Sequence, residues 1–340
     1  MLVLGIESTC DETACAVVKN GKEILSNVVA SQIDLHKEYG GVVPELACRR
    51  HIDLMVPVLD RALLEANVSL KEIDLIAVAH GPGLIGALLI GLNTAKALAF
   101  SLNKPFIGIN HVEAHLYAAL MSQLAAPSFP CLGVVLSGGH TAIVLIQEIG
   151  HYELIGQTVD DAIGEAFDKV AKMLDLPYPG GPQIEQLARQ GNPQSYSLKA
   201  GYVKGSPLNF SFSGLKTAVL YTIKGQKKDG PNPPLTQNDK ADLAASFQKA
   251  ALEDVVKKTL LAAAKHQVKT IVLGGGVTSN QMLRQLFTAA GHDLSCIWPS
   301  ADLSLDNAAM IAGLGYYRYQ MQGQGDGMEL EPLTRIPFHQ

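Results

Sequence analysis

An excess of positive charge is missing from this sequence: 27 lysines and arginines face 32 aspartates and glutamates, for a formal net charge of −5. Such a chain exerts no global pull on nucleic acid, so a nucleic-acid substrate would need a local basic patch or a partner. Charge of either sign is scarce, at 17% of residues against 47% hydrophobic. That balance excludes a disordered or coiled-coil chain and suits a well-buried α/β enzyme. The five cysteines (Cys10, Cys15, Cys48, Cys131, Cys296) are odd in number and scattered, with no Cys-x-x-Cys pair. They exclude a zinc ribbon and point to free thiols in a reducing cytoplasm. No apolar run reads as long and uninterrupted enough to span a bilayer, and the chain opens on a strand with no basic-then-apolar leader. A cytoplasmic protein without membrane partners is expected, and 340 residues leave room for two domains.

What is present centres on Asn110-His111-Val112-Glu113-Ala114-His115. A short buried strand, Pro105–Ile109, leads into it, and Asn110 reads as a helix N-cap with Glu113 at the capping-box position. His111 and His115 then stand one turn apart on a single helix face, at the exposed mouth of a strand-to-helix turn. They suit one shared divalent metal, or else are two surface histidines at a helix start. The order His-x-Glu-x-His differs from the His-Glu-x-x-His of zinc proteases, so Glu113 is expected to cap the helix and not to act as a base on metal-bound water.

Elsewhere strands are expected over Met1–Ile6, Thr13–Val18, Ile24–Ala30, Leu75–Ala79, Cys131–Leu136, Thr141–Ile146 and Lys269–Leu273, with Asn20-Gly21 as a hairpin turn. The segments around Glu7–Val18 and Ser137–Ile146 share a pattern of strand, polar turn, Thr-Ala and strand. This weak internal repeat suggests two similar α/β halves. Ala125–Pro130 reads as a linker and Gly225–Asn238 as a mobile Lys/Pro/Gly-rich loop. Arg49-Arg50-His51 is a small basic cluster on a helix expected over 45–67. Asp160, Asp161 and Glu165 read as supporting groups. Asp306 is either the N-cap of the last helix or a hard oxygen ligand. Ser137-Gly138-Gly139 and Gly274-Gly275-Gly276 offer bare backbone to an anion or nucleotide. A valine at Gly275 is expected to block nucleotide while sparing the fold.

Eight motifs in register then carry a family likeness: Ile6–Thr13, Gly81-Pro82-Gly83, Asn110–His115, Ser137–Thr141, Gly164–Lys169, Tyr178–Pro182, Phe212–Lys216 and Gly274–Val277. Together they resemble the TsaD family, the tRNA adenosine threonylcarbamoyltransferases, in its bacterial form. The resemblance implies an α/β protein with an actin-like, sugar-kinase-like fold of two duplicated RNase H-like domains with a cleft between them. The domains would span 1–126, with helix 307–324 packing back on it, and 127–306, followed by a tail over 325–340. The implied reaction moves the threonylcarbamoyl group from L-threonylcarbamoyladenylate to N6 of adenosine-37 in tRNAs reading codons that begin with A, releasing AMP.

By position the resemblance makes His111, His115 and Asp306 the ligands of one divalent metal, Fe2+ or alternatively Zn2+. It makes Val135, Leu136, Ser137, Gly138, Gly139, Asp168, Gly181, Glu185 and Asn280 the adenylate-binding residues. Asp11 and Glu12 are the nearest groups for steering a proton. Arg49, Arg50, Lys199, Lys204 and Lys216 are the candidates for tRNA phosphates. The implied partners are tRNA, the TsaB paralogue and the TsaE ATPase, with a homodimer as a candidate state of the isolated chain. Cys48 with Arg49-Arg50, and Glu185 in place of Asp, depart from the usual pattern. The competing readings are a metalloendopeptidase and a small-molecule kinase of the same fold.

Overall fold

Two runs of apolar strands, one opening each half of the chain, determine the architecture. The structure, a computed structural model, describes residues 1–123, 127–225, 233–290, 293–336 and 338. Unit 1 comprises Met1–Pro127, Gln147–Tyr152 and Trp298–Gln340, and unit 2 comprises Ser128–Ile146 and Glu153–Ile297. The return to unit 1 thus comes at Trp298, earlier than the sequence boundary at 306, because the strand Ser295–Ile297 is the last element paired in the second sheet. Asp306 and the expected tail therefore belong to unit 1. Ala125 and Ala126 of the expected linker, and residues 226–232 of the expected loop, lie outside the described residues.

The sheet of unit 1 contains β1 (Leu2–Glu7), β2 (Glu12–Lys19), β3 (Glu23–Ser31), β4 (Leu75–Gly81) and β5 (Phe106–Asn110), in the order β3-β2-β1-β4-β5. Antiparallel pairing joins β1, β2 and β3, whereas β1, β4 and β5 run parallel. Asn20 (φ 51°) and Gly21 (φ 77°) supply the two left-handed residues that a tight hairpin turn requires. Leu4 and Ile6 point into a core with Met55, Val58 and Leu92 of the helices Pro44–Ala66 and Ile85–Leu102. Each such side chain contributes about 1.5–3 kcal/mol on burial. Between them Gly5 faces the opposite side, where the helix Ala308–Gln322 lies so close that any Cβ would strike the Ala308 carbonyl. The last helix is thereby seated on the first strand.

Unit 2 repeats the plan with β6 (Cys131–Leu136), β7 (Thr141–Glu148), β8 (His151–Gln157), β9 (Thr270–Gly274) and β10 (Ser295–Ile297), in the order β10-β9-β6-β7-β8. Again the first strand pairs antiparallel with the second and parallel with the fourth. The weak sequence repeat is therefore a true duplication of topology.

One expectation is corrected here. Ile85–Leu102 is, by length and composition, apolar enough to cross a membrane. It packs one face into the unit 1 core, and Lys96 on it donates to the Leu330 carbonyl at 2.6 Å.

Candidate metal centre and nucleotide-binding residues

The parallel strands β1, β4 and β5 end on the same edge of the sheet, at Glu7, Gly81 and Asn110. Carboxyl ends of parallel strands are where α/β sheets present their chemistry. Asn110 ends β5 and caps the next helix, His111–Met121, its side-chain oxygen accepting from the Val112 N–H (2.9 Å) and the Glu113 N–H (3.4 Å). His111 and His115 stand one turn apart, with ring centroids 4.7 Å apart. Neither is at an exposed mouth: they are 5% and 1% exposed, because the whole helix is buried. Asp306 meets them from the other end of the unit. Its Oδ1 lies 3.1 Å from His115 Nε2 and 3.6 Å from His111 Nε2. The N-cap of the last helix is Asn307, which accepts from the Met310 N–H at 3.0 Å, so capping does not fall to Asp306.

These three residues fit a metal. Their ligand atoms all lie within 4.8 Å of one another. Both ring nitrogens of His115 are buried with no hydrogen-bond partner among the described residues, although Nε2 lies 3.1 Å from Asp306 Oδ1, a costly arrangement that an ion bound at Nε2 would relieve. Two imidazoles and one carboxylate suit a borderline divalent cation. Burial opposes charge on His111, but the Glu7 and Asp306 carboxylates outweigh it and lift the metal-free imidazolium to about 9. Sulfur is not part of the set: among the described residues the converging ligand atoms belong to the two histidines and Asp306 alone, and without a metal, burial, Asp11 and Asp306 raise the Cys10 thiol far above its ordinary range.

Asp11 lies on the turn between β1 and β2, and Glu12 opens β2. Asp11 is buried, and the Glu12 carboxylate accepts from the Ser31 hydroxyl at 3.1 Å. Burial, Asp306 and Asp11 raise the Glu12 carboxyl well above the usual carboxylate range. Glu113 does not cap its helix. Its side chain is buried, 3.9 Å from Arg318, and burial lifts its carboxyl to about 7 against the pull of that arginine. His51 is no part of a basic cluster either. It is fully buried, bonded to the Thr13 hydroxyl (2.8 Å) and the Cys10 carbonyl (3.0 Å), and burial lowers its pKa. It thereby pins the turn that carries Asp11 and leads into Glu12. Arg49 and Arg50 remain exposed, beside Glu45 (2.6 Å) and Asp53 (4.0 Å).

Unit 2 gathers the expected adenylate residues. Val135 and Leu136 end β6 and are buried. The Ser137–His140 turn is closed by the Ser137 hydroxyl accepting from the His140 N–H at 3.0 Å. The Gly164 N–H, in the helix Ile163–Met173, donates to the Ser137 carbonyl at 3.2 Å, which sets this turn against that helix. Asp168 on the same helix accepts from the Gly180 N–H at 2.7 Å. Glu185, on the helix Gly180–Ala188, accepts from the Gln281 N–H at 3.0 Å. Asn280 is buried and donates to Gln248, a partner that sequence reading missed, at 2.8 Å. Gly138, Gly139 and Gly181 face open space, whereas a Cβ on Gly275 would come within 2.5 Å of the Leu136 carbonyl. Gly275 thus serves strand packing.

Of the tRNA candidates in this unit, Lys199 and Lys204 are exposed. Lys216 pairs with Asp161 at 2.6 Å, and Lys169 with the same carboxylate at 2.7 Å. Asp160 accepts from the Ser211 and Ser213 hydroxyls and the Phe212 and Ser213 N–H groups, at 2.6–3.3 Å. Burial would raise its pKa, but these bonds bring it below the usual carboxylate range. It caps the helix Ser213–Lys224 from a distant loop. Asp160→Ala is expected to cost about 1–2 kcal/mol at pH 7. A group with a depressed folded pKa stabilises above its unfolded value, near ~3.9. The deficit should therefore shrink as the pH falls below it. Urea titrations at pH 7 and pH 3 check this; an equal deficit at both contradicts the capping role.

The TsaD family profile, tRNA N6-adenosine threonylcarbamoyltransferase, matches residues 23–313. The tRNA N6-adenosine threonylcarbamoyltransferase of Protochlamydia amoebophila is 72% identical over 338 residues, 99% of this chain and 98% of that one. Among solved structures, full-length HypF in a phosphate- and nucleotide-bound form aligns with a TM-score of 0.62 at 13% identity, over 94% of this chain and 46% of that one. The ROK hexokinase of Thermus thermophilus aligns at 0.51 and 16% identity, over 94% of this chain and all of that one. The structural likenesses are of fold alone and agree with duplicated α/β domains of the actin-like, sugar-kinase-like class. Matched along most of its length by the profile, and almost wholly by a close relative, the chain belongs to the TsaD family, the tRNA N6-adenosine threonylcarbamoyltransferases.

Proposed function

We propose that the chain performs the family reaction with two separable sets of residues. A divalent metal, Fe2+ or Zn2+, is held in unit 1 by His111, His115 and Asp306. AMP is held in unit 2 by Val135–Gly139, Asp168, Gly181, Glu185 and Asn280. The group transferred is threonylcarbamoyl, from L-threonylcarbamoyladenylate to N6 of adenosine-37 of tRNA. The observation that carries the metal assignment is the convergence of two buried histidines on one Asp306 oxygen. When bound, such a metal supplies Lewis acidity and a template for an oxygen of the substrate.

An exocyclic adenine amine is a poor nucleophile, so the chain's own contribution is orientation and charge stabilisation. Asp11 and Glu12 handle the proton that N6 loses as the new C–N bond forms and AMP departs. The proposed tRNA contacts are Arg49, Arg50, Lys199, Lys204 and Lys216, of which Arg49 and Lys216 also have carboxylate partners in Glu45 and Asp161. A chain at −5 gathers phosphates only locally, which favours completion of the surface by the TsaB paralogue and the TsaE ATPase in the cytoplasm. Nothing favours the alternatives. Glu113 faces Arg318 and so is no base for a peptidase, and a kinase has no use for the histidine pair.

The test is incubation of the purified chain with threonylcarbamoyladenylate, tRNA and the partner proteins, followed by nucleoside analysis. Modified adenosine with AMP is expected; ADP formation, peptide cleavage or no turnover overturns the reading. The double variant Arg49→Glu, Arg50→Glu should lower modification about tenfold near physiological salt, with metal content and AMP affinity unchanged. Undiminished modification would make these arginines a solvated helix face.

A further inference from the structure

Glu7 is wholly buried at the end of β1 and belongs to none of the residue sets above. Its two oxygens are both engaged. Oε1 accepts from the Thr9 N–H at 2.6 Å, and Oε2 lies 2.9 Å from His111 Nδ1. A carboxylate only accepts, so the hydrogen between Glu7 and His111 sits on Nδ1. That leaves Nε2, the nitrogen facing Asp306, as the one whose lone pair becomes available when the imidazolium gives up its second proton to make room for a metal. His115 has no counterpart: its Nδ1 has no partner among the described residues.

We propose that Glu7 is a positioning residue that sets the tautomer of His111, so that Nε2 is the nitrogen presented to the metal. The proposal rests on the metal site described above and concerns how one of its ligands is oriented. It makes an unusual demand on the variants. In Glu7→Gln the backbone N–H of Thr9 still needs an acceptor, so the amide oxygen stays at Thr9 and the NH2 group turns to His111. Nδ1 must then accept, which moves the ring hydrogen to Nε2 and blocks the ligand atom. In Glu7→Ala the ring is released, and Nδ1 keeps its hydrogen with the Thr9 hydroxyl, 3.4 Å away, as the nearest remaining acceptor. The isosteric change is therefore the more damaging one. A residue that merely fills space would show the opposite order, since glutamine preserves the shape and alanine leaves a hole.

Zinc affinity, measured by competition with a chromophoric chelator on the full chain, reads this directly. Loss of an outer partner typically weakens metal binding by about 10- to 100-fold; about 10-fold is expected for Glu7→Ala and about 100-fold or more for Glu7→Gln. Equal affinities of Glu7→Gln and parent, or a weaker Glu7→Ala than Glu7→Gln, overturn the proposal. His111→Ala is the control for the site itself. Parent-like zinc binding there removes the metal site and this proposal with it, whereas loss in His111→Ala alone removes only the role of Glu7. Should Glu7→Gln not fold, judged by the melting of the metal-free protein, the nitrogen-15 histidine spectrum of the zinc-loaded parent decides. His111 protonated on Nδ1 and bound through Nε2 is expected; binding through Nδ1 contradicts it.

Discussion

His115→Ala should empty the metal site. Metal content is expected to fall from one per chain to near zero and tRNA modification by at least about 100-fold, with AMP affinity in unit 2 unchanged. The reason is the small number of ligands: among the described residues, two buried nitrogens and one carboxylate converge, and no cysteine belongs to the group. The parent should also bind metal more tightly as the pH rises. A proton on His111, held up to about 9 by Glu7 and Asp306 over the opposing effect of burial, must leave before the metal enters. Below that pH, apparent affinity should rise by about tenfold per unit, and above it level off. Elemental analysis of the variant, with chelator competition at several pH values, checks both. Full metal content in His115→Ala would contradict the ligand assignment.

Gly275→Val should damage the fold of unit 2 and not merely its ligand affinity. Gly275 sits at φ +93° and ψ 161°, a region essentially reserved for glycine, where a residue with a Cβ is strained by about 1–3 kcal/mol. A Cβ there would also lie 2.5 Å from the Leu136 carbonyl and 3.2 Å from the Ser137 side chain. Relieving that overlap pushes β9 from β6, at a further cost of about 1–3 kcal/mol. For a unit of this size each kcal/mol lowers the melting temperature by roughly 2–4 °C. A fall of about 5–15 °C is therefore expected, together with loss of AMP binding, while metal binding in unit 1 persists. Calorimetry with and without AMP measures it. An unchanged melting temperature with abolished AMP binding would return Gly275 to the nucleotide-facing role read from the sequence.

That correction shows which information the sequence carries. A glycine between a strand and a helix signals that backbone or ligand comes close, but does not say which one; only the Leu136 carbonyl decides it. Periodicity and turn chemistry were enough for the strands of the duplicated core, since apolar runs such as Cys131–Leu136 have no other stable place. They were not enough for β8, whose His-Tyr-Glu start reads as polar, or for the three-residue β10. The histidine pair was legible from its one-turn spacing. Its burial was not, because helix His111–Met121 is covered on all sides and has no polar face to oppose an apolar one. His51 looked like a third positive group beside two arginines. A single residue step along the helix separates the exposed Arg50 from His51, which bonds Thr13 and Cys10, and no local signal distinguishes them. Glu7 was hidden in the same way, as the first polar residue after an apolar strand, although a carboxylate ending a buried strand is itself a signal of a partner.

X-ray absorption at the metal edge of the loaded full-length parent tests the central claim most directly. A first shell of nitrogen and oxygen only is expected, with two imidazoles at about 2.0–2.1 Å in the zinc form, one metal per chain, and no metal-edge signal above background in His111→Ala. A sulfur scatterer in that shell, or a shell without histidine, would contradict it.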